Sequence, residues 1–215
     1  GVKRIMPKTP TLCALGSVNL DLIIQTAKLP EAGETVTQGL FHSLPGGKGA
    51  NTAFAAQRLG ADVSLIAMVG EDAYADEALK GVKNVGVTLN SIRTHATAPT
   101  GVAFINVSED GENQIAVASG ANDKFKPAHL SPITADGIIT QFEIPLETIE
   151  AAITGFDGFV AINASPGVEG VEKLLPHASL IIVNEGEYAS YKNDLSAYDG
   201  MLAITSGSNL ALHAA

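Results

Sequence analysis

Six short apolar runs constrain this chain of 215 residues more than any other feature: Leu12–Leu15, Val63–Val69, Gly137–Thr140, Phe159–Ile162, Leu180–Val183 and Met201–Thr205. Each is too short for an ordinary helix, and each is continuously apolar rather than alternating, as strands buried on both faces are. Helix patterns lie between them. The Ala-rich run Thr52–Leu59 stops at Gly60, and Asp72 can cap a helix reaching about Asn84. Further helices are expected over Leu146–Ile153, near Val168–Leu175 and from about Glu185. Strands alternating with helices predict a parallel sheet covered on both faces, an α/β domain.

A second texture interrupts that rhythm. Leu22–Ile24 and Thr35–Thr37 read as short β pieces, and Gly101–Val107 with Gln114–Ala118 flank an Asp110-Gly111 turn signal. These pieces predict a small separate sheet.

Composition removes several function classes. The formal charge is −10, which argues against a sequence-independent nucleic-acid surface. No apolar run reaches membrane-spanning length, so no membrane partner is expected. Cys13 is the only cysteine, which excludes intrachain disulfides and Cys-rich zinc sites and fits a reduced, cytoplasmic protein. The five histidines are scattered, and no G-x-S-x-G elbow occurs, so neither zinc nor serine-hydrolase chemistry has support.

The polar residues at strand ends are the chemical candidates. Pro45-Gly46-Gly47-Lys48-Gly49-Ala50-Asn51 is neither a P-loop nor a dinucleotide fingerprint. It offers a flexible backbone with a Lys and an Asn at a helix start, suited to a polyhydroxylated ligand; a plain tight turn is the other reading. Asn19 and Asp21 follow the first apolar run, Glu143 and Asn163 follow later ones, and ligands of open α/β sheets sit outside such ends. An Asx turn would also account for Asn19 and Asp21. Asn184 and Glu187 offer two oxygen ligands for Mg²⁺, or equally an N-cap and N3 pair; one residue can serve both.

Taken in order, these segments resemble the ribokinase (PfkB) family of carbohydrate kinases. Leu15-Gly16-Ser17-Val18-Asn19-Leu20-Asp21 is similar to the family's opening strand, and Pro45 through Ala53 to its first signature. Thr100-Gly101-Val102-Ala103 and Gly111-Glu112-Asn113 resemble the lid strand and its turn. Glu143-Ile144-Pro145, Asn163-Ala164-Ser165-Pro166, Asn184-Glu185-Gly186-Glu187 and Thr205-Ser206-Gly207 complete the series, and the ribokinases are the most similar subfamily.

The resemblance implies a ribokinase-like three-layer α/β/α sandwich with a small β-sheet lid. It places one domain at 11–215, lid segments at 21–44 and 100–119, and a loose tail at 1–10. It implies transfer of the ATP γ-phosphoryl group to a sugar, ribose O5 above others, with Mg²⁺ and a monovalent cation such as K⁺. Asn19, Asp21, Gly47, Lys48, Asn51 and Glu143 would hold the sugar. Asn184 and Glu187 would serve Mg²⁺, with Asn184, Thr205 and Gly207 beside the nucleotide, and lid edges would pair two copies as a homodimer.

One departure stands out. The family's second signature, a Gly-Ala-Gly-Asp loop carrying the general base and the anion hole, does not occur in these residues, so no catalytic residue is assigned. Further segments, a fragment or a degenerate relative would each explain it, and short connections at 151–159 and 188–201 favour the first. A non-catalytic sugar- or nucleoside-binding relative is the alternative function, and an unrelated α/β binding module the third.

Overall fold

The computed structural model describes residues 8–206 and, as backbone, 209–213. The chain forms two sheets. The larger has eight strands: β1 (Thr11–Leu15), β4 (Asp62–Gly70), β5 (Thr88–His95), β8 (Gly137–Gln141), β9 (Phe159–Asn163), β10 (Leu180–Asn184), β11 (Met201–Ser206) and β12 (Asn209–His213). Their spatial order is β12-β11-β10-β9-β8-β1-β4-β5, and all pairs are parallel except β11–β12.

That order reverses between β1 and β8. The chain first grows outward from β1 through β4 to β5, then restarts at β8 on the other side. Because crossovers keep one hand, the reversal sends early and late helices to opposite faces. Helices α1 (Lys48–Arg58) and α2 (Ala73–Asn84) cover one face, burying Ala50, Ala53, Ala78 and Val82 against Val63, Leu65 and Ala67. Helices α3 (Leu146–Ile153) and α4 (Glu185–Leu195) cover the other, where Ile149, Ile153 and Tyr191 meet Leu15, Ile138 and Ile162. Leu15 is fully buried, and its truncation to Ala would cost about 2–5 kcal/mol. The result is the expected three-layer sandwich.

The smaller sheet runs β3-β2-β6-β7, from β2 (Asn19–Thr26), β3 (Leu40–Gly46), β6 (Gly101–Ser108) and β7 (Asn113–Ala118). The strand expected over Thr35–Thr37 is absent; those residues are loop, and the chain pairs with β2 only from Leu40. β5 is an edge strand that the polar sequence Thr88–His95 does not announce. The helix expected near Val168–Leu175 is instead two short 3₁₀ turns, Val171–Lys173 and Leu175–His177. Gly167, Gly170 and Pro176 flank and interrupt that segment, and none of them sustains an α-helix.

Candidate functional site

Crevices at a strand-order reversal are where open α/β sheets bind ligands. Here the β1–β8 reversal carries Ser17 just past β1 and Glu143 just past β8. The Ser17 hydroxyl donates to Glu143 Oε2 at 2.5 Å, bridging the switch point. The same Glu143 oxygen accepts the Lys48 backbone N–H at 3.0 Å.

Helix α1 therefore has an unusual start. Its N-cap residue Gly47 has no side chain to give, and no side-chain cap from it exists. The free N–H groups of the first turn are served from elsewhere. Lys48 N–H goes to Glu143, Gly49 N–H to Ser17 Oγ at 3.4 Å, and Ala50 N–H to the Ser17 carbonyl at 3.0 Å. Gly47 has φ of 89°, and a Cβ there would stand 2.8 Å from Asn19 N and Ser17 O. Gly49 lies as close to the Gly16 backbone. Glycines let the helix start press onto the β1–β2 turn, which places the Lys48 peptide beside Glu143.

Asn19 is buried and fixed by Asn122, whose Nδ2 donates to Asn19 Oδ1 at 2.8 Å. Asn122 also exchanges bonds with the Val18 backbone, accepting from its N–H at 3.0 Å and donating to its carbonyl at 3.2 Å. Asn19 thus keeps its Nδ2 as the remaining donor. Asp21 is half-buried, one residue pair along β2, and its carboxylate fills the space above Gly46 that any side chain would occupy. Burial first, and the negative charge of Glu143 second, push the Asp21 carboxyl above its ordinary value. A cleft of about 520 Å³ opens beside them, lined by Asn19, Asn122, Glu143, Val117, Phe142 and Val168 among others.

The six sugar-side candidates are not equally joined. Asn19, Asp21, Glu143 and the Gly47–Lys48 peptide converge where the two sheets meet. Asn51 does not: it is exposed and lines a separate groove of about 270 Å³ with Leu44, Phe54 and Val82.

On the other flank of the sheet, Asn184 Oδ1 accepts Glu187 N–H at 2.8 Å, and Glu187 Oε2 accepts Asn184 N–H at 2.9 Å. That is a capping box at the start of α4. Thr205 sits opposite Asn184 in the β10–β11 register, and its hydroxyl donates to the Val183 carbonyl at 3.4 Å. Gly207 lies outside the described residues. Among the described residues no group of three His, Cys, Asp or Glu side chains is gathered as a metal site.

The model of the pfkB family carbohydrate kinases matches residues 9–196. The chain belongs to that family. The Bacillus subtilis ribokinase is 35% identical over 210 residues, covering 91% of this chain and 71% of the relative. The Schizosaccharomyces pombe ribokinase is 36% identical over 198 residues, covering 85% and 62%. The chain thus spans under two thirds of that second relative. The solved ribokinase of Cryptococcus neoformans in complex with ADP superposes with a TM-score of 0.79 at 25% identity, over 96% of this chain and 76% of that one.

Within this pfkB-family chain, sequence reasoning missed Ser17, Asn122 and the lid anchor. Thr100 is buried at the root of β6, and both its N–H (2.7 Å) and its hydroxyl (2.8 Å) donate to Asp72. Asp72 also caps α2, accepting from Tyr74 and Ala75 at 3.1 Å. Burial raises the Asp72 carboxyl, but these bonds outweigh it and hold the carboxyl below its ordinary value. Nothing local marks Ser17 as the partner of Glu143, 126 residues away in sequence. Nothing local marks Asn122.

Proposed function

We propose that this chain supplies the sugar site and lid of an ATP-dependent sugar kinase that phosphorylates ribose at O5. One observation carries the reading: Asp21, Glu143 and Asn19 converge on a Gly-bounded peptide at the sheet reversal. Carboxylates and amides so placed bind vicinal hydroxyls, which need acceptors and donors at fixed spacing. Glu143 spends one oxygen on the protein and keeps the other for a hydroxyl. The lid sheet stands over the cleft and would keep water from the transferred group.

The nucleotide side belongs to the same proposal. ATP would lie toward Asn184 and Thr205, in keeping with a relative solved with ADP. Mg²⁺ fits in a limited way. Glu187 has one carboxylate oxygen outside its capping bond, and Mg²⁺ commonly takes one or two carboxylates, waters and phosphates. Bound there, the ion would offset phosphate charge. For K⁺ the described residues point to no ligand set, and no step depends on it.

A homodimer through the lid and a cytoplasmic location complete the proposal. Large apolar side chains exposed on the lid strands support the first: Ile24, Leu40, Phe41, Phe104, Ile115 and Val117. The single, free and buried Cys13 supports the second. A ligand panel tests the substrate. Ribose should raise the thermal midpoint more than deoxyribose, fructose or adenosine at equal concentration. A larger shift with adenosine would move the substrate class to nucleosides.

A further inference from the structure

Gln141 ends β8 two residues before Glu143 and is fully buried. Its Nε2 donates to Thr52 Oγ1 of helix α1 at 3.2 Å. The Thr52 hydroxyl in turn donates to the Lys48 carbonyl at 2.7 Å. A helical Thr bonding back to the carbonyl four residues earlier is ordinary. A buried amide from another element donating to that hydroxyl is not, because it leaves the hydroxyl hydrogen only the Lys48 carbonyl to serve. Lys48 is thereby held at both ends from one strand end: its N–H by Glu143, its carbonyl by Gln141 through Thr52.

Stability does not explain a glutamine here. Its Oε1 occupies the space that a Cβ on Gly16 would need and has no donor among the described residues. A buried acceptor left without a donor is costly, and an apolar side chain of similar size would avoid that cost.

We propose that Gln141 is a positioning residue for sugar binding, fixing the Lys48 peptide through the Thr52 hydroxyl. The inference rests on the sugar reading above, since Lys48 and Glu143 are its target. Gln141 itself touches no sugar. With the relay cut, the first turn of α1 rotates more freely, and both the Lys48 side chain and the Glu143 carboxylate lose their fixed spacing.

Three variants test this: Gln141→Leu, Thr52→Val and Thr52→Ser. Ribose affinity is measured by calorimetry, the thermal midpoint by scanning, and the Lys48 amide by hydrogen exchange. Gln141→Leu and Thr52→Val should each weaken ribose by roughly fivefold, the scale of one net hydrogen bond. The midpoint should stay at or above wild type in Gln141→Leu and fall in Thr52→Val, which strands the buried Gln141 Nε2. Thr52→Ser keeps the hydroxyl and should bind ribose as wild type does. Lys48 should exchange faster in Gln141→Leu. Unchanged affinity in Gln141→Leu and Thr52→Val would overturn the proposal, as would a loss in Gln141→Leu that tracks a lowered midpoint, or a loss in Thr52→Val that persists in Thr52→Ser. Should wild type bind no ribose, the sugar reading itself falls. The exchange rate then decides alone: a faster Lys48 amide upholds the grip of Gln141 on that peptide, and an unchanged one removes it.

Discussion

Glu143 accepts the backbone N–H of Lys48 at 3.0 Å, so helix α1 is capped by a side chain 95 residues away in sequence. The bond ties a binding group to a structural task, and this gives it a measurable double effect.

Glu143→Ala strips the acceptor from both the Lys48 N–H and the Ser17 hydroxyl. Urea unfolding should show a loss of about 1–3 kcal/mol, alongside weakened ribose binding. Glu143→Gln still accepts both bonds and should lose under about 1 kcal/mol.

Asp21 presents the opposite sign. Its carboxyl is raised in the folded chain by burial and by Glu143, so ionisation of Asp21 opposes folding. A group raised on folding contributes stability below its unfolded value of 3.8 and loses it as pH climbs through the folded value. Asp21→Asn should therefore match wild type in midpoint near pH 3.5 and exceed it at pH 7. A constant difference across that range would remove the electrostatic cause.

Asp72 runs the other way. Held below its ordinary value, it stabilises above the unfolded value and stops doing so as pH falls through the folded one. Asp72→Ala should cost about 1 kcal/mol at pH 7, the scale of a lost N-cap, and loosen the root of the lid at Thr100. Faster amide exchange at Thr100 and Gly101 than in the sheet core would register it.

Glu187→Gln separates the capping role from a metal role. Glutamine still accepts the Asn184 N–H, so the midpoint should stay within about 1 °C of wild type. Affinity for Mg-nucleotide should fall while that for nucleotide without metal is unchanged. Equal affinities with Mg²⁺ would leave Glu187 with the cap alone.

Much of the parallel sheet was legible because a strand buried on both faces writes itself as an unbroken apolar run. β3 was not: Leu40–Gly46 includes His42, Ser43, Pro45 and Gly46, and only its seven-residue pairing with β2 makes it a strand. Asn184 and Glu187 were legible as a pair, and the free chain uses them as the capping box that was one of their two readings. Ser17, Asn122 and Gln141 were illegible for a shared reason. Each bonds to partners across the fold, at separations of 126, 104 and 89 residues, so no local pattern announces them.

The sugar site at the sheet reversal is tested most directly by calorimetric titration of ribose into the 215-residue protein, beside Asp21→Asn. Wild type should bind one ribose per chain, and Asp21→Asn should bind it roughly 5- to 150-fold more weakly while melting higher at pH 7, a loss of about 1–3 kcal/mol of hydroxyl bonding. Equal affinity in the two proteins, or no ribose heat in wild type, would contradict a sugar site built on Asp21 and Glu143.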